Sequence, residues 1–164
     1  MQRKISPDTR FPARGSRLTR RGFLSAGGTL LALLTPLRVL ADERIEATKK
    51  AISKILGERE AASGPIKLTT PAIAENGNTV PISVEVESPF TADDYVKAVH
   101  IFAEQNPVPE VVSFHYTAAS GKAKNSTRIR LAQTQRVIAI AEMSDGRVFE
   151  TANEVKVTIG GCGG

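Results

Sequence analysis

The residue best placed to do chemistry is the single cysteine, Cys162. Gly160 and Gly161 precede it and Gly163 and Gly164 follow it, directly after an apolar alternation that ends at Ile159. A structural cysteine is normally buried as a small hydrophobe. This one has no neighbouring side chain to pack with, and glycine is the residue that loses most conformational freedom on ordering. The spacing therefore predicts a flexible arm, residues 160–164, with its thiol in solvent. Extended, the five residues reach about 17 Å, and no side chain beside the sulfur would stop it entering a narrow channel. A free thiol, with a reference pKa near ~8.5, is mostly protonated at neutral pH. Activation must come from whatever receives the arm. The chemistry is that of a covalent carrier, reactive only when docked.

Other candidates are weaker. His100 and His115 would make a catalytic or metal pair only with further ligands, and no Asp or Glu stands at ligand spacing in the sequence. A structural role is expected for both, with no catalytic residue, no metal and no cofactor. Asp93-Asp94 could bind a cation but reads first as a solvated turn before a strand over 96–103. Lys122, Lys124, Arg128 and Arg130 form a local basic patch, read as an exposed loop and strand face or as a docking surface for an acidic partner.

The elements that position Cys162 follow from hydropathy. Residues 43–56 carry Ile45, Ile52, Ile55 and Leu56 on one helical face, with Glu46 and Lys50 at i,i+4. Gly57 is a stop signal and 61–65 a loop. After Pro65 the period becomes two. Val80, Ile82, Val84 and Val86 alternate with Pro81, Ser83 and Glu85; Val99, Ile101 and Ala103 alternate with His100 and Phe102. Similar runs cover 112–116, 128–131 and 155–159, and the runs 137–143, nearly all apolar from Val137 to Ala141, and 147–151 join them. Asn76-Gly77, Pro107-Val108-Pro109, Ser120-Gly121 and Asp145-Gly146 separate them, the last as a hairpin. Six to eight short strands without helical interruption predict an all-β chain, an immunoglobulin-like antiparallel β-sandwich with a short N-terminal helix.

The start of the chain is of another kind. Residues 1–41 hold eight of the 22 basic residues and one of the 17 acidic ones; the remainder has 14 and 16, a net charge of −2. Without that segment no basic surplus is left for nucleic acid or an anionic membrane. Arg20 and Arg21 followed by Phe23-Leu24, an apolar stretch, and Val39-Leu40-Ala41 before Asp42 resemble a twin-arginine export signal. Gly27, Gly28, Pro36 and Arg38 interrupt the stretch, which argues against a membrane anchor. The expected division is a cleaved signal over 1–41, a helix over 42–58, a sandwich over 59–159 and the arm over 160–164. The expected location is the periplasm. The twin-arginine route carries folded proteins, so without a cofactor motif it points to a partner that travels along.

Taken together, the Gly-Gly-Cys-Gly-Gly segment, the twin-arginine leader, the short helix and the sandwich resemble the SoxY family. The stretch from Thr70-Pro71-Ala72 through Asn76-Gly77 to Val80-Pro81-Ile82 is similar too. SoxY proteins are sulfur-carrier subunits of the bacterial Sox thiosulfate-oxidation system. The resemblance implies that Cys162 is the attachment point for sulfur intermediates and that the carrier forms a heterodimer with SoxZ. It further implies that a SoxAX cytochrome couples thiosulfate to the cysteine as an S-thiosulfonate. A SoxB hydrolase releases sulfate and leaves a persulfide, and SoxCD, a sulfane dehydrogenase, oxidises that sulfur further where it is present. The chain itself is then a carrier and not an enzyme. The alternative is an exported interaction module whose lone cysteine forms an intermolecular disulfide.

Overall fold

The structure, a computed structural model, describes residues 35–160, with side chains from Ala41 onward. The twin-arginine residues Arg20, Arg21, Phe23 and Leu24, and Gly161, Cys162, Gly163 and Gly164, lie outside the described residues.

One helix, α1 (Thr35–Leu56), precedes nine strands. They are β1 (Ala61–Ala62), β2 (Ile66–Thr69), β3 (Ile73–Asn76), β4 (Val80–Val86), β5 (Val96–Ala103), β6 (Glu110–His115), β7 (Ala123–Ile129), β8 (Gln135–Met143) and β9 (Val148–Ile159). One sheet runs β1-β9-β8-β5-β6, with β3 also on β9; the other runs β2-β4-β7. The two layers form the expected immunoglobulin-like sandwich. Among the described residues no helix is long and apolar enough to cross a membrane.

The period-two pattern becomes the core. Val80, Ile82, Val84 and Val86 of β4 face Val99, Ile101, Val137, Ala139 and Val155 of the large sheet within one buried cluster. Each fully buried aliphatic side chain there contributes about 1.5–3 kcal/mol of transfer free energy. The Asp145-Gly146 hairpin forms as expected: Gly146 takes φ 91°, where a side chain would be strained, and Arg147 and Met143 close the ladder at 2.9 Å.

The chain switches sheets early. β1 runs parallel to the start of β9, pairing Ala61 with Val148. β2 crosses to the small sheet and pairs with β4. β3 returns and runs parallel to the far end of β9, pairing Ile73 with Lys156 and Asn76 with Ile159. Pro65 and Pro71 stand at the two crossings, where a missing N–H interrupts no ladder. The segment expected to be a loop, 61–65, thus contains β1.

Three further differences have physical reasons. The helix is already present at Thr35, upstream of 43, and runs through Ala41; residues 37–42 contain no glycine or proline to break it. Glu46 pairs with Lys49 at 2.7 Å rather than with Lys50, on the exposed face where either pairing contributes little. The runs at 147–151 and 155–159 are one strand. The polar break between them contains Asn153, whose amide donates to the Leu68 carbonyl (2.9 Å) and so holds the end of β2.

The helix covers the outer face of the large sheet. Ala51, Ile52, Ile55 and Leu56 pack on a second cluster formed by Phe102, Ile138, Ile140 and Val148. Thr48, 1% exposed, donates to the carbonyls of Arg44 and Glu104, each at 3.0 Å. Arg44 reaches the Gln105 carbonyl at 3.0 Å. β5 is therefore buried on both faces, although its alternation suggested one face in water.

Candidate functional site

The strand leading to Cys162 is held firmly up to Ile159. β8 pairs with β9 as far as Val155. Beyond that point β3 takes over, helped by the Val157 N–H donating to Thr134 Oγ1 (2.9 Å) and the Gly77 N–H donating to the Ile159 carbonyl (2.8 Å). Gly160 has a steric reason to be glycine: an added Cβ would stand 2.4 Å from the Ala132 carbonyl oxygen. The expected arm therefore begins from a root pressed against the β7–β8 turn. Cys162 lies three residues past Ile159, within about 10 Å of it along an extended chain.

The histidines are brought together, their ring centroids 6.0 Å apart in an edge-to-face arrangement. His100 is 8% exposed. Its Nδ1 faces Ser113 Oγ at 2.8 Å and Glu110 Oε1 at 3.1 Å, and its Nε2 faces Glu142 Oε1 at 3.3 Å. Glu142 in turn accepts from Arg59 at 2.6 Å. Arg59 also donates to the carbonyls of Ile55 and Leu56 at the end of α1.

Two carboxylates thus reach a histidine that has none at ligand spacing in sequence. The hydroxyl of Ser113 is given to Glu110 and not to the imidazole, so the trio is not an activated nucleophile. Among the described residues no group of three or more His, Cys, Asp or Glu side chains is arranged to hold a metal. The cluster is a clamp joining α1, β5, β6 and β8 through His100; His115 is exposed and meets it only by its ring edge. The carboxylates of the clamp respond accordingly. The Ser113 hydrogen bond holds Glu110 below the usual carboxylate value, with His100 assisting against the cost of burial. Burial opposes ionisation of Glu142, but Arg59 and His100 outweigh it and its pKa is also lowered. Sequence reasoning missed Arg59, Glu110, Ser113 and Glu142; the available signal was a histidine inside an otherwise apolar strand, which must find partners once covered.

Asp93-Asp94 is the expected turn before β5, with Asp94 bound to Arg147 at 2.9 Å. The basic patch divides. Lys122 and Lys124 are both taken by Glu85, at 3.6 and 2.7 Å. Arg128 and Arg130 have no carboxylate partner among the described residues and line a groove between the open edges of the two sheets.

The fold and site define a class: a helix-backed immunoglobulin-like sandwich whose last strand leads rigidly to a short glycine-flanked segment with one thiol. Within that class the match is specific. The family model for sulfur oxidation protein SoxY covers residues 52–162, from α1 to the cysteine itself. The chain belongs to the SoxY family. It is similar to the sulfur carrier protein SoxY from Chlorobium limicola f thiosulfatophilum, with 30% identity and a TM-score of 0.58, over 68% of this chain and 96% of that one. Superoxide reductase (neelaredoxin) from Ignicoccus hospitalis, 15% identical with a TM-score of 0.51 over 58% of this chain and 81% of that one, shares the fold alone. Among curated proteins no sequence matches. Family membership makes the chain a sulfur carrier of the Sox system.

Proposed function

We propose that Cys162 is the covalent attachment site and that the chain works in the periplasm after twin-arginine export and cleavage following Ala41. The observation that carries this reading is the bracing of β9 through Ile159. The last strand is bonded to three neighbouring segments up to that residue, and the only thiol stands three positions later among glycines. That is the layout of a rigid handle with a short tether.

Thiosulfate coupling forms a bond between the cysteine sulfur and the outer sulfur of thiosulfate. The thiol proton is lost and two electrons pass to the cytochrome partner, SoxAX, giving R–S–S–SO3⁻. Water then attacks the terminal sulfur in SoxB, releasing sulfate and two protons and leaving R–S–S⁻. SoxCD acts on that persulfide where it is present. SoxZ is the companion subunit, in keeping with an export route for folded proteins. Cleavage after Ala41 would keep Arg44, Thr48, Ala51, Ile52, Ile55 and Leu56, described residues of α1 that hold it to the sheet. It would also leave Asp42 and Glu43 in the new first turn, where acids favour a helix.

The test is the intact mass of protein isolated from cells oxidising thiosulfate. Thiosulfonate or persulfide adducts on Cys162, absent from Cys162→Ser, are expected. An unmodified mass during turnover, with loss of activity on reduction, would favour the intermolecular disulfide instead.

A further inference from the structure

We propose that two exposed aliphatic side chains at the tether end of the sandwich, Val108 and Ile159, form a docking contact for the rim of the channel through which a partner enzyme receives Cys162. The proposal rests on the reading of Cys162 as the loaded residue and adds a recognition surface on the rigid body of the carrier. The occupant is the mouth of an enzyme active site, apolar where it meets the two side chains and acidic beside them.

Exposure comes first. Among the described residues three large aliphatic side chains stand mostly in solvent: Ile73 at 62%, Val108 at 69% and Ile159 at 67%. Single exposed hydrophobes are ordinary. Two of these three, however, project from the end that bears the tether. Val108 is the tip of Pro107-Val108-Pro109. The prolines fix φ on either side of it, and the Ala103 N–H donates to the Pro109 carbonyl at 2.8 Å. The tip is therefore held out from the body.

The two side chains share one frame. The Gly77 N–H donates to the Ile159 carbonyl and the Leu131 N–H donates to the Gly77 carbonyl, each at 2.8 Å. The Arg130 carbonyl accepts from the Asn106 amide at 2.8 Å, and Asn106 Oδ1 accepts from the Ala132 N–H at 3.0 Å and from Gln135 Nε2 at 2.9 Å. Asn106 and Gln135 are 8% and 3% exposed. A buried amide network thus ties the turn that carries Val108 to the end of β9, where Ala132 abuts Gly160. By way of Asn106, Ala132 and Gly160 the Cα atoms of Val108 and Ile159 are at most about 25 Å apart, at ~3.8 Å per residue step and ~7 Å per contact. Weak, transient interfaces cover under about 600 Å² per partner, a disc roughly 28 Å across. One such contact takes in both side chains, and a rigid frame lowers the entropy cost of forming it.

Reach names the occupant. The sulfur lies within about 13 Å of Ile159. An enzyme that encloses it must press the mouth of its channel against this end at each turnover and then let go. A permanently seated subunit calls for a larger, continuous apolar face, roughly 800 Å² or more per partner. Here two aliphatic side chains stand apart among amides, which suits a contact that forms and breaks. Charge completes the match. Arg128 and Arg130 line the same groove as Val108, are exposed and have no carboxylate partner among the described residues. An acidic rim is therefore drawn to this end, and its attraction raises the rate of encounter.

The test uses the mature chain with its SoxZ subunit, loaded with tetrathionate. The cysteine thiolate attacks one inner sulfur and displaces thiosulfate, giving R–S–S–SO3⁻, and intact mass verifies the product. Sulfate release by SoxB is then followed against carrier concentration. Val108→Glu and Ile159→Ser, both with unchanged thermal unfolding, are each expected to lower kcat/KM about three- to ten-fold, with kcat at saturation unchanged because the reacting atoms are untouched. Ala119→Glu adds the same charge to the exposed 118–120 turn at the other end and should match wild type. R130Q should lower kcat/KM at low salt and equal wild type in high salt. Iodoacetamide should alkylate Cys162 at one rate in every variant, and SoxZ should copurify with each. Equal kcat/KM in Val108→Glu, Ile159→Ser and wild type overturns the docking contact and leaves the carrier reading intact, as does an equal loss in Ala119→Glu. Loss of SoxZ from Val108→Glu or Ile159→Ser overturns the enzyme rim as occupant in favour of the companion subunit. A wild-type cysteine that does not load, or cargo that SoxB does not cleave, counts against the carrier reading itself.

Discussion

Replacing Glu142 by Gln tests the clamp that keeps α1 on the sheet. The change preserves shape and removes one charge. Glu142 is 17% exposed and faces Arg59, itself 37% exposed, and His100, 10% exposed. Breaking a fully buried ion pair costs about 3–5 kcal/mol, and an exposed one under ~1. The half-open position of Arg59 places this pair between those limits, at about 1–2 kcal/mol. For a domain of this size that is a fall in Tm of roughly 3–8 °C. The pH dependence carries the sign. The Glu142 carboxyl titrates below the ordinary glutamate range in the folded protein, so the unfolded chain takes up the proton first as pH falls. Its stabilisation is complete above about pH 4.5 and is lost as pH drops through the lower folded value. Urea unfolding from pH 7 to pH 3 should show a steep acid limb in wild type and a shallower one in Glu142→Gln. The remaining slope belongs partly to Glu110, which shifts in the same direction. Arg59→Gln should lose a similar amount, and the double variant little more. Equal stability of Glu142→Gln and wild type at pH 7, or identical acid limbs, would refute the clamp.

Three other substitutions follow from close contacts. Gly160→Ala places a methyl group 2.4 Å from the Ala132 oxygen, so the end of β9 must move; a loss of about 1–3 kcal/mol is expected, with faster amide exchange at Gly77, whose N–H is bonded to Ile159. Gly64→Ala drives its Cβ to 2.1 Å from the Phe149 ring; thermal unfolding should fall by a similar amount, and Phe149→Leu in the same chain should recover part of it. Thr48→Val leaves the Glu104 carbonyl without its side-chain donor under α1 and should cost about 1–2 kcal/mol in urea unfolding, with the loss concentrated in protection of the helix amides.

The legible parts of the fold are those specified locally. β4 and β5 follow from alternation, β8 from a nearly all-apolar run, and the 145–146 turn follows from the need for a positive φ at Gly146. β1 and β3 were not separable because each is short and takes its pairing from β9, more than 80 residues away. β9 was read as two runs because Asn153 interrupts the apolar period to serve a carbonyl of β2. Of the site, the lone cysteine among glycines was visible in full as a pattern. The two roles of the basic patch were not, since only the register of β4 against β7 brings Glu85 beside Lys124 and leaves Arg128 opposite Pro81.

Under the proposed attachment at Cys162, the reach of the thiol depends on how far along its length the last strand is held. If the last strand frayed early, the thiol would sample a larger volume and the effective concentration at a docked partner would fall steeply with tether length. Ladder bonds from β3, the Thr134 hydroxyl and the Gly77 amide prevent that up to Ile159, although β8 has already ended at Val155. The parallel return of β3 therefore extends the rigid strand by one more turn of the ladder than the hairpin partner can support. It also explains why the chain crosses twice between sheets before β4: the first crossing supplies β2 to the small sheet, and the second brings β3 back to brace the strand that bears the cysteine. A sulfur three residues beyond such a brace stays within about 13 Å of a fixed point, about 10 Å of extended chain and about 3 Å of side chain. Under that attachment, partner enzymes meet the thiol at the end of the sandwich where the 76–78 and 130–134 turns flank Ile159 and Gly160.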